Sequence, residues 1–261
     1  MPSIYEVLRE SLLAESPVAL VTVIDGAHLG ANLLVRPEHQ PLGTLGDPDL
    51  DRVAARDALA ELESGRTGVR HYGEQGQANE TSVSLFVESF APPPQMLIFG
   101  AVDFTAALGR VAKILGYRVI VCDAREVFAT PRRFPMADEV VVDWPNRVFD
   151  RVGSSLGPRD AVCILTHDPK FDVPAVLGAL KSRAGYIGVM GSRKTHDKRL
   201  ERLVDEGVDI DEFNARVMSP IGLDIGARSP EETAVSICAE IIARRTGRTP
   251  PSLRDRSGPI H

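Results

Sequence analysis

The chain is short of the features that would class it at once. Of its 261 residues one is tryptophan and only 5% are aromatic, so any core must be built from aliphatic side chains. Cysteine occurs three times, as Cys122, Cys163 and Cys238. None forms a C-x-x-C pair and the count is odd, which excludes a disulfide framework. Cys122 and Cys163 lie in apolar strand-like runs and Cys238 on an apolar helical face. All three are expected to be reduced core residues, in a cytoplasmic setting. Basic charge is in deficit, 30 Lys and Arg against 36 Asp and Glu, for a net charge of −6. That argues against binding nucleic acid through a basic face. No apolar run approaches the ~18 residues of a membrane span. Met1 to Leu13 has neither the basic nor the apolar region of an export signal. Walker, H-E-x-x-H and G-x-S-x-G motifs are missing, no nucleophile–base pair stands out, and no histidines show metal-ligand spacing. No metal is expected and catalytic residues stay unassigned.

What is present is an ordinary globular composition, 43% hydrophobic and 25% charged, at a length for one large or two ordinary domains. Residues 1–90 read as a smaller α+β domain. Ser3 and Glu6 have capping-box spacing ahead of a helix over Ile4–Ala14. Val18–Ile24 is a buried strand with Ala31–Val35 as its partner, and Gly43–Pro48 is a loop. Asp49–Ser64 is a helix stopped by Gly65. Val69–Tyr72 and Thr81–Ser89 are further strands. The three prolines of Ala91-Pro-Pro-Pro-Gln95 fit neither a helix nor a central strand and mark a boundary.

Residues 96–247 alternate strands and helices, which implies an α/β, Rossmann-like domain with a parallel sheet. Strands are expected at Met96–Phe99, Arg118–Cys122, Glu139–Val142, Asp160–Leu165 and Tyr186–Met190. A helix with Phe104, Ala107, Leu108 and Val111 on one face joins the first two. Others are expected at Arg147–Val152, Val173–Ser182 and Arg193–Glu206. A last helix starts with Ser229 as N-cap, Pro230 at N1 and Glu231 and Glu232 in its first turn. Residues 248–261 read as a flexible tail.

In such sheets, ligands bind beyond the carboxyl ends of the strands. Five loops qualify. Gly100 to Asp103 follows the first strand in the place of a dinucleotide glycine fingerprint, but Val102 holds the second glycine position and Thr105 the third. A valine there obstructs the close approach of a pyrophosphate, so NAD(P) binding is expected to be weak. Asp123 ends the second strand, where an acid can accept from ribose hydroxyls. His167 and Asp168 follow the fourth strand, and His167 could move a proton or bind a ligand. Gly191, Ser192 and Arg193 open a helix whose amides and guanidinium suit a phosphate. Gly222, Asp224 and Arg228 lie in a loop with two glycines and opposite charges.

Taken together, the segments Leu97-Ile-Phe-Gly-Ala101, Val121-Cys-Asp-Ala-Arg125, Thr166-His-Asp168, Tyr186-Ile-Gly-Val-Met-Gly-Ser-Arg193 and Pro220-Ile-Gly-Leu-Asp-Ile-Gly-Ala-Arg-Ser-Pro-Glu-Glu232 resemble the XdhC/CoxI family of xanthine dehydrogenase accessory proteins. The resemblance covers residues 96–245 well and the N-terminal segment more loosely. It implies a small N-terminal domain, a C-terminal Rossmann domain and a role in maturing molybdenum hydroxylases. It also implies that the molybdenum cofactor, a phosphorylated pterin, is held for sulfuration and delivery to a client enzyme. Separately, the chain could form a homodimer. Two features depart from the family. Its usual Gly-Ala-Gly-His is here Gly100-Ala-Val-Asp103, and the cysteine of its N-terminal glycine-rich turn is missing from Gly43-Thr-Leu-Gly-Asp-Pro-Asp49. Two other readings stand beside the accessory factor: an NAD(P)-dependent oxidoreductase, and a structural partner that has lost its ligand.

Overall fold

A computed structural model describes residues 2–78, 80–247, 252 and 254; the side chain of Arg193 is also outside the described set. The chain divides into two compact units, one ending at Pro92 and the other starting at Pro93.

The first unit contains α1 (Ile4–Leu13), β1 (Val18–Asp25), β2 (Asn32–Val35), β3 (Leu42–Gly43), α2 (Pro48–Ser64), β4 (Gly68–Tyr72) and β5 (Val83–Phe90). The strands form an antiparallel sheet in the order β3-β2-β1-β5-β4. Strand alternation gives each face its own core. Leu50, Ala54, Ala58 and Leu62 of α2 pack with Val21, Leu85 and Val87, while Val7 of α1 packs with Val18 and Leu34. The local signals act where they stand. Ser3 and Glu6 cap each other reciprocally, and Gly65 ends α2 in the left-handed region at φ +65°, which only glycine adopts at little cost. At the start of the segment read as a loop, Gly43 forms β3 with the preceding Leu42, the two pairing with Leu33 and Leu34. Two residues carry no periodicity, so this strand exists by its neighbour alone.

The second unit contains β6 (Gln95–Phe99), α3 (Asp103–Ile114), β7 (Arg118–Cys122), β8 (Glu139–Val141), α4 (Pro145–Val152), β9 (Ala161–Ile164), α5 (Pro169–Lys181), β10 (Tyr186–Val189), α6 (Arg193–Asp205), α7 (Ile210–Arg216), β11 (Val217–Met218) and α8 (Pro230–Arg245). All strand pairs are parallel, in the order β11-β10-β9-β6-β7-β8. Counted within the unit this is the doubly wound order 3-2-1-4-5-6, so the fold class is Rossmann-like α/β and the topological switch point lies between β6 and β9. Helices α3 and α8 cover one face through Leu108, Ala112, Ile237 and Ile241. Helices α4 to α7 cover the other through Phe149, Val176, Leu203 and Phe213. A sheet buried on both faces explains why its strands read as unbroken apolar runs.

Three differences from the sequence reading have local causes. Helix α5 starts at Pro169, with Asp168 as N-cap, four residues before the expected start at Val173, and it accommodates Pro174 in its interior. Helix α7 and β11, between Gly207 and Ser219, were not anticipated, because seven and two residues are too short for a pattern. Of the tail read as flexible, Ser252 is buried and pairs with Leu223, and Arg254 reaches Met218 Sδ at 3.9 Å. The rest of 248–261 lies outside the described residues.

Candidate functional site

The parallel ladder continues past the strand ends and draws their loops to one edge. Gly100 N–H donates to Cys122 O (2.8 Å), Leu165 N–H to Phe99 O (2.8 Å), Met190 N–H to Ile164 O (2.8 Å) and Ile221 N–H to Val189 O (3.1 Å). Gly100, Asp123, Thr166, Gly191 and Gly222 therefore share the carboxyl edge of the sheet.

At the switch point the packing is close. Gly100 adopts φ +110°, and a Cβ there would stand 3.0 Å from Thr166 N. Thr105, in the third fingerprint position, is fully buried and donates its hydroxyl to Gly100 O. A threonine here closes the turn that a glycine would otherwise leave open. Val102 is the N-cap of α3, offers no side-chain cap and packs against the core.

Asp123 is 3% exposed, and its carboxylate is engaged inward. Oδ2 accepts from Ala101 N–H (2.8 Å) and Arg125 Nη2 (2.7 Å). Oδ1 accepts from Arg125 N–H (3.0 Å) and Arg125 Nε (2.9 Å). Burial opposes its ionisation, but the guanidinium and the two amides outweigh burial and hold the carboxyl below its ordinary range. Asp123, the acid at the end of β7, thus fixes Arg125 beside the loop that follows β6. Arg125 lies 4.6 Å over the ring of Phe128, and Arg133 lies 5.6 Å from the same ring. Arg133 Nη1 donates to Ala101 O and to Phe128 O, both at 3.2 Å, and its Nη2 is 3.7 Å from the exposed Asp103. Sequence reasoning marks Asp123–Arg125 as a strand-end segment but gives Arg125 no role of its own, and it passes over Phe128 and Arg133, which sit in an irregular segment without periodicity. The order Asp-x-Arg directly after a strand was the available signal. His167 is exposed. Asp168 caps α5 by accepting from Lys170 N–H (3.0 Å), and its charge acts on Arg125.

A second cluster lies under the Gly191 turn. Ser192 caps α6, its Oγ accepting from Thr195 N–H (3.3 Å). The first turn carries no acid, so the positive helix end is left uncompensated. Below it the buried Arg199 donates Nη2 to Asp172 Oδ2 (3.0 Å) and to Met190 O (2.9 Å), and Nη1 to Ser219 Oγ (3.4 Å). Burial pushes the Asp172 carboxyl up to about 6, against the pull of Arg199. His196 Nδ1 is 3.0 Å from Ser219 Oγ, and burial lowers its pKa. Gly222 N–H donates to Glu240 Oε2 (2.9 Å), which also accepts from Tyr186 Oη (2.8 Å). Burial raises Glu240 above the usual carboxylate range. Asp224 is half-buried and Arg228 exposed in the loop that Gly222 begins.

All three cysteines are buried and free. Burial is the main cause that pushes Cys122 up to about 12, Cys238 to about 11 and Cys163 well above the ordinary thiol value. Among the described residues, no group of His, Cys, Asp and Glu is placed to hold a metal ion, and no helix is long and apolar enough to cross a membrane.

Residues 96–241 match the model of the XdhC Rossmann domain, and residues 11–73 that of the XdhC and CoxI family. The chain belongs to the XdhC and CoxI family. The resemblance carried by the strand-end motifs is thereby borne out. Among XdhC-like relatives, a Bacillus subtilis (strain 168) protein named as a probable xanthine dehydrogenase subunit is 28% identical over 92% of this chain and 64% of its own length. The Escherichia coli (strain K12) molybdenum cofactor insertion chaperone PaoD is 25% identical over 61% of this chain and 43% of its own. A crystal structure described as that of a xanthine dehydrogenase from Bacillus halodurans superposes with a TM-score of 0.64 at 25% identity, over 93% of this chain and 66% of that one. The chain spans about two thirds or less of the length of these relatives.

Proposed function

We propose that this chain is an accessory factor in the maturation of a molybdenum hydroxylase, holding the molybdenum cofactor or a related phosphorylated ligand at the carboxyl edge of its parallel sheet for delivery to the client. Its similarity to PaoD, a named insertion chaperone, carries the reading. Local chemistry supports the phosphate end of such a ligand: an α6 start without acids and an exposed, anchored guanidinium at Arg125. The metal end finds no accessible thiol, since every cysteine is buried. From the sequence, Gly191, Ser192, Arg193, Gly222, Asp224 and Arg228 are the candidates on one side of the switch point, and Gly100, Asp103, Asp123, His167 and Asp168 those beside it. When bound, the cofactor would supply the molybdenum chemistry to the client, and this chain's part is to bind, orient and release it.

An NAD(P)-dependent oxidoreductase is the alternative. Val102 at the close-approach position and Asp123 turned inward onto Arg125 both stand against it. Titrating the purified chain with molybdenum cofactor and with NAD(P)H separates the two. Saturable cofactor binding, followed by transfer to a cofactor-free hydroxylase, is expected. Sub-micromolar NAD(H) affinity would overturn the steric argument and favour the oxidoreductase.

A further inference from the structure

The guanidiniums of Arg125 and Arg133 are exposed side chains that do not behave as surface charges. Arg125 keeps a side-chain exposure of 55%, yet Nε and Nη2 are gripped by a carboxylate that is itself 3% exposed. One face of the group lies on Phe128. Arg133, at 36%, is held by two main-chain carbonyls, one of them Ala101 O in the loop that follows β6. A surface arginine placed for solubility would gain nothing from such anchors, since exposed pairs contribute little. A guanidinium fixed in advance loses less freedom when it meets an anion.

The donors still available face outward. Arg125 Nη1 has no hydrogen-bond partner among the described residues. Arg133 Nη2 has only Asp103 at 3.7 Å, whose side chain is 90% exposed. The acids nearby are Asp123, already turned inward, Asp103, and Asp168, whose Oδ1 caps α5. Asp103 is thus a loose counter-charge that an incoming oxyanion would displace. The two cations meet on one ring beside Gly100 and Ala101, next to the switch point where open α/β sheets take their ligands.

We propose that Arg125 and Arg133, braced on Phe128, form the site that receives the phosphate of a phosphomonoester ligand. This rests on the reading that the carboxyl edge binds a phosphorylated molecule, and it names the residues that recognise the charge. The ring attached to the phosphate is left to experiment.

The test is calorimetric titration of the full chain with four probes: AMP, adenosine, a pterin phosphomonoester and the same pterin without phosphate. Both phosphorylated probes, or the pterin ester alone if the ring matters, should bind at least tenfold more tightly than their phosphate-free partners, and binding should weaken with added salt. Arg125→Gln and Arg133→Gln should each weaken the phosphorylated probe by about ten- to a hundredfold, the range for one charge-assisted hydrogen bond. The phosphate-free probe should be unaffected. Arg125→Lys and Arg133→Lys guard against misfolding and should retain part of the affinity. Asp103→Asn should strengthen binding, a result that a purely structural role for Arg133 does not give. Unchanged affinity in both glutamine variants, with Arg193→Ala abolishing binding, would overturn the assignment while leaving a phosphate site at the carboxyl edge. No discrimination between phosphorylated and phosphate-free probes would overturn both.

Discussion

Asp123 and Glu240 are both buried carboxyls of the second unit, and their partners drive them in opposite directions. Asp123 meets a guanidinium and two amides and is held below its ordinary value. Glu240 receives one hydroxyl and one amide, with Oε1 unpartnered, and burial raises it. The depressed Asp123 adds stability above the unfolded aspartate value of about 3.9, lost as pH falls through its lower folded value. The raised Glu240 has the reverse sign. Its contribution is complete below the unfolded glutamate value of about 4.3 and is lost as pH rises through the higher folded value. Glu240→Gln keeps an acceptor for Tyr186 and Gly222 without the charge. Its stability relative to the parent chain should therefore improve as pH rises, when urea unfolding is compared on either side of that range. Parallel pH profiles would show that folding does not raise the Glu240 pKa. Glu240→Ala should cost about 1–3 kcal/mol for each donor it orphans. At Gly100, alanine meets both φ +110° and Thr166 N at 3.0 Å. We expect Gly100→Ala to lower the unfolding free energy by about 1–3 kcal/mol, the usual cost of a strained backbone; a neutral result in urea would mean that the β6–β9 junction yields.

Among the elements, α6 is tied to its surroundings by a buried cation as well as by the apolar Leu203. Arg199 links α5 through Asp172, the end of β10 through Met190 O and the residue after β11 through Ser219. Removing it leaves a buried carboxylate without its cation, which typically costs about 3–5 kcal/mol. Arg199→Met should lower the midpoint of chemical denaturation accordingly, and a loss below about 1 kcal/mol would show that the pair is dispensable. Element by element, legibility followed length and capping. Helix α8 was readable because Ser229 and Glu232 form a capping box at its start, with Pro230 in the first turn, and Ala234, Ile237, Cys238 and Ile241 are buried along it. Helix α7 was not, although Asp209 caps it by accepting from Asp211 and Glu212 N–H; its one buried residue, Phe213, gives no periodicity. The Arg199–Asp172 pair joins residues 27 apart, and no spacing rule connects them.

For the whole molecule, the two units each carry their own apolar clusters, which is the condition for independent folding. Residues 93–261 expressed alone should unfold cooperatively in denaturant, with circular dichroism of a mixed α/β protein; a non-cooperative profile would show that the unit needs the rest of the chain. The sequence by itself determined the alternation of strands and helices, the parallel sheet, the proline-marked junction and the loops that end its strands. These follow from local periodicity, turn chemistry and the need to bury both sheet faces, all written in residues close together along the chain. Tertiary structure alone decided what those loops do with their charges. It turned Asp123 inward, set Arg125 and Arg133 on one aromatic ring, and gave Glu240 a hydroxyl and an amide where Asp123 has a guanidinium. A carboxyl's role depends on which donors reach it through space, and chain folding fixes those distances only after the sheet is assembled.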